Sequence, residues 1–298
     1  VSVCVPAREE AATIAPIVEL LVGLRERGVI DEVVVLDSDS RDGTGAIAAR
    51  AGAVVHRPAA LMPHLGAVLG KGDAMWRALS VLTGEVVCYL DADSEDFGVH
   101  FALGLIGPLV CEPGVQFVKA SYRRPFKAGE VSLAHGGGRV NDLTARPLLA
   151  RFYPELSALR QPLAGEIAAR RDLLVRMPFA TGYGVEIGLL IDAYLAHGLD
   201  GLAQVDLGVR QNRHQSLSEL GPMAYAVLGA VTRRLGEEGR LHDAASGAFL
   251  TSELEVREVE ALERPPFASV SAASATSRLT PSADPQPDGA PRAPAATR

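Results

Sequence analysis

Residues 1–7, VSVCVPA, alternate β-branched and small positions with the two-residue period of a strand. The period then changes. Within REEAATIAPIVELLVGLRERG, Ile14, Ile17, Val18, Leu21 and Leu24 recur three or four apart, which predicts a helix stopping at Gly28. DEVVVLDSDS (31–40) predicts a second strand, apolar until it ends in polar residues. DGTGAIAARAGA predicts a helix, VVH (54–56) a third strand, GDAMWRALSVLTG (72–84) a helix and EVVCYLDAD a fourth strand. Near-continuous apolar strands alternating with helices imply a parallel sheet covered on both faces. The expected class is α/β: a Rossmann-like, mostly parallel central sheet with helices on both faces, joined by right-handed crossovers.

The second half mixes signals. VQFVKASYRRPF (115–126) predicts a strand that continues the sheet, and HGGGRVNDLTARPLLARF a Gly-rich loop running into a helix. FATGYGVEIGLLIDAYLAHG predicts a loop and then a helix over Val185–Ala196. LAQVDLGVR (202–210) predicts a late strand, and residues 220–235 a helix. From Arg264 onward Pro, Ala, Ser and Thr dominate, so residues 264–298 are expected to be a disordered tail outside the fold.

A length of 298 residues suits one large domain or two small ones. The formal charge of -7 leaves no overall basic surface for nucleic acid, although 29 Lys and Arg can still build a local anion pocket. Cys4, Cys88 and Cys111 are odd in number, widely spaced and without metal-type spacing, which favours a reducing, cytoplasmic compartment. No apolar run is long enough to span a bilayer, so no membrane partner is expected. No signal peptide is visible; with residue 1 already at the start of a strand, an upstream segment is expected.

Ligands of parallel sheets bind beyond the carboxyl ends of the strands. Asp91 and Asp93 lie there, at the exit of the fourth strand, spaced to face one ligand. Two such carboxylates suit Mg²⁺ or Mn²⁺ bridging to a diphosphate; the plainer reading is a solvated turn with Asp caps. Pro6, Ala7, Glu9 and Glu10 end the first strand and Asp37, Ser38 and Asp39 the second. Carboxylates on that rim can accept hydrogen bonds from a base or ribose, or cap the following helices. Lys71 stands between two glycines before a helix, as a phosphate-binding lysine or part of a surface loop. GGGRV (136–140) offers backbone N–H groups and Arg139 for a second anion, or is a linker. There is no G-x-G-x-x-G after the first strand, no G-x-x-x-x-G-K-[ST] and no G-x-S-x-G, which weakens dehydrogenase, P-loop and hydrolase readings.

PAREEAATI, DEVVVLDSDSRDGT, GKGDAMWRAL, DAD, GGGRV, QPLAGE, GYGVEIGLLID and QVDLGVRQNRHQ occur in that order. This ordered set, from Val1 to about Leu235, resembles the actinobacterial glucosyl-3-phosphoglycerate synthases and the related mannosyl-3-phosphoglycerate synthases, retaining glycosyltransferases of the GT-A fold. The resemblance implies a nucleotide-sugar-binding half over 1–120 and an acceptor-binding half with C-terminal helices over 121–263. It implies transfer of glucose, or mannose in the sister activity, from a UDP- or GDP-linked donor to the 2-hydroxyl of 3-phosphoglycerate. The products are precursors of compatible solutes or of polymethylated polysaccharides.

Carried over by position, Pro6, Ala7, Glu10, Ser38, Lys71 and Asp91 would meet the donor nucleotide, Tyr183 and Glu186 the donor sugar, and Arg210 the diphosphate. Gly138, Arg139, Val140 and Asn141 would hold the acceptor, with Asn141 where relatives often carry Thr. Asp93 would bind the divalent cation, Mg²⁺ or Mn²⁺. Relatives place a second metal ligand, a histidine, where this chain has Asn212; either His214 takes over that role or Asn212 supplies a weaker oxygen, and imidazole suits Mn²⁺ better. Catalysis would rest on Asp93, Lys71, Arg210 and Glu186, by front-face attack with a diphosphate oxygen accepting the proton. A homodimer built on the helices from Leu220 onward is also implied. The readings from other classes are a sugar-phosphate nucleotidyltransferase, which would need a Gly-rich loop where PAREE stands, and a non-catalytic nucleotide-sugar-binding protein.

Overall fold

The computed structural model describes residues 1–124, 126–128, 131–133, 138–210, 216–241, 247–250, 256–259 and 262–270. The first strands and helices alternate: β1 (Ser2–Ala7), α1 (Ile14–Glu26), β2 (Glu32–Asp37), α2 (Thr44–Arg50), β3 (Val54–His56), α3 (Lys71–Ala78), β4 (Val86–Tyr89), α4 (Val99–Cys111) and β5 (Phe117–Arg123). A hairpin of β6 (Phe126–Ala128) and β7 (Val131–Leu133) follows, then a π-helical turn over Asn141–Ala145 leading into α5 (Arg146–Phe152). The remainder is β8 (Ile167–Arg170), α6 (Arg171–Leu174), β9 (Phe179–Ala180), α7 (Val185–His197), β10 (Leu202–Val209), α8 (Leu217–Glu237), a hairpin of β11 (Gly247–Leu250) and β12 (Val256–Val259), and β13 (Glu263–Arg264).

Seven strands form one sheet in the order β10-β5-β8-β4-β1-β2-β3. Pairing is parallel except at β8, which runs antiparallel to both β4 and β5. Alternation inside the apolar runs sends successive side chains to opposite layers. Val3, Val5 and Cys88 join the core under α1, α2 and α4, while Cys4, Val87 and Tyr89 join the core under α3, α7 and α8. Each fully buried aliphatic side chain there contributes about 1.5–3 kcal/mol.

Three boundaries differ from the sequence reading. Residues 8–13 do not extend α1; Glu9 takes φ 59, and its carboxylate accepts from Arg41 N–H (2.8 Å), tying the β1 exit to the β2 exit. The helix expected over 72–84 is the shorter α3, which gives way to turns at Leu79. The tail expected from Arg264 begins later, because residues 262–270 dock on the body. β13 pairs with β9, the Trp76 indole donates to Pro265 O (2.9 Å), and buried Phe267 meets Trp76 edge-on. Arg264 donates to both oxygens of buried Asp73 in α3 (2.7 and 3.0 Å). The rest of that expected tail, 271–298, lies outside the described residues.

A second ionic fastening joins α7, α8 and β13. Buried Arg234 donates to both Asp192 oxygens (2.8 and 2.6 Å) and to Glu263 (2.7 Å). Gly188 makes room for it, since a Cβ there would fall 2.8 Å from Arg234 Nη2. Among the described residues no helix is long and apolar enough to cross a membrane.

Candidate active site

Parallel pairing of β2, β1 and β4 brings their carboxyl ends to one rim, with Ala7 opposite Asp37 in register. Pro6, Ala7, Glu10 and Ser38 sit on that rim, and Ser38 N–H donates to Ala7 O (3.0 Å). Asp91 follows just beyond β4. Its carboxylate is seated against Gly165, where a Cβ would fall 2.2 Å from Oδ2, so a larger residue there would push the carboxylate out of place.

Charges converge on Asp91. Lys71 Nζ, at the first position of α3, donates to Asp91 Oδ1 (2.6 Å) and to Glu186 Oε1 (2.9 Å) in the first turn of α7. Arg210 Nη1 donates to Asp91 Oδ2 (3.0 Å), and Nη2 to Asp93 Oδ1 (2.5 Å). Arg210 follows β10, where the register shift near Gly208 (φ 86) turns the chain; its N–H is fixed by Arg123 O (3.0 Å). Behind it, Glu166 Oε1 lies 2.5 Å from Nη1, and the Tyr122 hydroxyl donates to Glu166 Oε2 (2.9 Å).

Burial alone would raise the Asp91 pKa, but the adjacent Lys71 and Arg210 charges hold it well below the usual carboxylate range. Desolvation works against the Lys71 cation, yet Asp91 and Glu186 raise its pKa well above that of a free lysine. Glu166 is pushed up by burial, partly offset by Arg210. Lys119, buried in β5 with its ammonium 3.5 Å from the Glu186 carbonyl, is lowered by burial to about 8.

The structure thus joins Lys71, Asp91, Asp93, Glu186 and Arg210 in one cluster, as the sequence reading grouped them. Tyr183 stands half-exposed at the loop before α7. Gly138, Arg139 and Val140 open the helical segment that leads into α5, Gly138 with φ 84. Asn141 is buried, and its amide is spent on the chain itself: it donates to Arg160 O (3.2 Å) and Asp142 (3.0 Å) and accepts from Leu163 N–H (3.4 Å). Its side chain therefore clasps the 160–163 loop. Gly70 and Gly72, on either side of Lys71, are required by packing. Cβ atoms there would fall 3.0 Å from Thr181 O and 1.8 Å from Ala180 O, so these glycines let α3 pack on β9. Asn212 and His214 lie outside the described residues.

Glu166, Tyr122, Lys119 and Gly165 escaped the sequence reading as site residues. The available signal was a charge inside an apolar strand, as in QFVKASY, or at its mouth, as in AGEIAAR. The donor set at Asp91 and Asp93 is hard carboxylate oxygen, with Asp93 the more exposed. That chemistry fits a divalent cation such as Mg²⁺ or Mn²⁺. Among the described residues no third metal-ligating side chain joins them.

The family model for glycosyl transferase family 2 matches residues 2–98. The glucosyl-3-phosphoglycerate synthase of Mycolicibacterium smegmatis is 47% identical over 236 residues, covering 79% of this chain and 78% of that one. That of Mycobacterium tuberculosis H37Rv is 47% identical over 240 residues, covering 79% and 74%. Among solved structures, mannosyl-3-phosphoglycerate synthase from Rubrobacter xylanophilus superposes with a TM-score of 0.81 at 47% identity, covering 90% of both chains. The Mycobacterium tuberculosis glucosyl enzyme in complex with Mn²⁺, UDP-glucose and phosphoglyceric acid gives 0.81 at 41%, again covering 90% of both. A family 2 strand-helix frame, a carboxylate–lysine–arginine rim and this level of identity converge: the chain is a hexosyltransferase of the GT-A fold and belongs to the glucosyl-3-phosphoglycerate synthase family.

Proposed function

We propose that this chain moves glucose from UDP-glucose to the 2-hydroxyl of 3-phosphoglycerate with retention of anomeric configuration. The observation carrying the reading is the cluster of Lys71, Asp91, Asp93 and Arg210 on one rim of the sheet. Relatives crystallised with Mn²⁺, UDP-glucose and phosphoglyceric acid supply the ligand identities. Asp93, with Asn212 or His214, would hold a divalent cation, which when bound supplies Lewis-acid neutralisation of the diphosphate.

The chain's own groups do the rest. Lys71 and Arg210 carry fixed positive charge toward the departing diphosphate, preorganised by Asp91, Glu186 and Glu166. Glu186, with one oxygen on Lys71, keeps the other for sugar hydroxyls, with Tyr183 alongside. Pro6, Ala7, Glu10 and Ser38 line the nucleotide side. The turn of Gly138, Arg139, Val140 and Asn141 positions the acceptor so that its hydroxyl meets the anomeric carbon on the face the leaving group vacates. A diphosphate oxygen takes the proton. We assign the first 120 residues to the donor and the following part to the acceptor, the compartment to the cytoplasm, and self-association to α8.

Mannose transfer is the second reading, because the Rubrobacter xylanophilus mannosyl enzyme is as similar as the glucosyl relatives. One assay tests both: 3-phosphoglycerate with UDP-glucose, GDP-glucose or GDP-mannose, each with Mn²⁺, Mg²⁺ or EDTA. The expected product is an α-linked phosphorylated glucoside, formed from UDP-glucose only when metal is present. Preference for GDP-mannose would move the chain to the sister activity, and no product from any donor would overturn the reading.

A further inference from the structure

The acceptor named above carries two anionic groups, a carboxylate and a phosphate, with about three negative charges near neutral pH given a second phosphate pKa near 6. The family carry-over gives it one arginine, Arg139. A second guanidinium stands at the same turn. Arg124 follows the last residue of β5 and is half-buried. Its Cδ and Nη1 lie 3.6 and 3.8 Å from the Cβ position of Gly138, so the side chain rests directly against the turn that presents Arg139.

The fully buried Arg77 and Arg234 spend their guanidinium groups on the protein. Arg77 donates to Asp73 and to the carbonyls of Leu61, Gly66 and Ala67, and Arg234 to Asp192 and Glu263. Arg124 makes no hydrogen bond or ion pair among the described residues, and its buried Nε has no partner. A buried Nε–H with no acceptor is costly unless a ligand completes it. Arg124 follows directly on β5, whose Tyr122 hydroxyl accepts from Arg210 Nη1 (2.9 Å).

We propose that Arg124 is a second anion-binding arginine of the acceptor subsite and holds the phosphate of 3-phosphoglycerate beside the Gly138–Arg139 turn. The assignment rests on the acceptor reading given above. The phosphate falls to Arg124 because the start of the helical segment at Arg139 adds partial positive charge at the same point, and a planar fork matches phosphate oxygens in pairs.

The test is titration calorimetry on enzyme loaded with Mn²⁺ and UDP, using three probes: 3-phosphoglycerate, glycerol 3-phosphate, which lacks the carboxylate, and D-glycerate, which lacks the phosphate. Arg124→Met is expected to weaken the two phosphorylated probes about 30-fold, the worth of a charged hydrogen-bond pair, while D-glycerate affinity holds. Arg124→Lys should recover part of the loss, and unchanged UDP-glucose affinity in both variants reports an intact fold. The assignment is overturned if all three probes weaken alike, if only D-glycerate weakens, or if nothing changes. Wild-type enzyme that binds none of the three would overturn the acceptor reading and this assignment together; variants matching an active wild type would overturn the arginine alone.

Discussion

Two buried arginines organise this molecule, and they differ in what they leave open. Arg234 draws Asp192 and Glu263 into a closed contact between α7, α8 and β13, with every partner largely shielded from water. Arg210 gathers Asp91, Asp93 and Glu166, and Lys71 adds Glu186, so four carboxylates share two close cations. One edge of that cluster faces solvent, with the Asp93 side chain 39% exposed against 13% for Asp192. A closed network fastens helices. An open one with surplus negative charge on its wet side suits a divalent cation, and we propose that the cation in turn brings the phosphate chain.

The contrast breaks most sharply at Asp93. Asp93→Ala is expected to lower kcat/KM about 1000-fold in the presence of Mn²⁺, because the rim loses the carboxylate proposed for the metal. The Tm should move by no more than about 2 °C, since Arg210 keeps Asp91 and Glu166. Activity within tenfold of wild type would end the metal assignment. Arg234→Met should do the opposite. It strands two shielded carboxylates and is expected to cost about 3–4 kcal/mol in urea unfolding, with substrate KM within about threefold at a temperature where the variant is folded. An equal collapse of catalysis would mean that the two networks are one.

Lys119 gives the smallest and most specific effect. Its folded pKa of about 8 lies below that of a free lysine, so between pH 8 and pH 10.5 the unfolded chain holds a proton the folded chain has released. Stability relative to Lys119→Met should therefore rise across that window, by on the order of 3 kcal/mol, and stay flat below it. Denaturant midpoints of both proteins from pH 7 to pH 10.5 measure the difference; a falling difference would refute the burial argument.

The parallel half of the fold was legible because β1, β2 and β4 are short apolar runs set between strongly periodic helices. The antiparallel β8 was not. GEIAAR is short and Ala-rich, has no two-residue period, and owes its strand to neighbours on both sides, Phe117 and Val87 each facing Ala169. Helix α4 carried no prediction, since Gly104, Gly107 and Pro108 interrupt a helical pattern that burial of Phe101, Leu105 and Leu109 restores. At the rim, Asp91 and Lys71 stood out by their place after strands and glycines. Glu166 was hidden because its role exists only once Arg210, far away in sequence, folds back against it. Asn141 was placed in the acceptor turn by position; that its side-chain amide also fastens Arg160 and Leu163 could not be read from sequence, because the partners lie about 20 residues on.

The strap over α3 has a consequence for how the protein comes into being. Asp73, two residues past Lys71, is gripped by Arg264 from 191 positions later. While the polypeptide is still emerging from the ribosome, the helix that begins at Lys71 lacks its final fastening. The grip on α3 can therefore close only after residue 264 has been made.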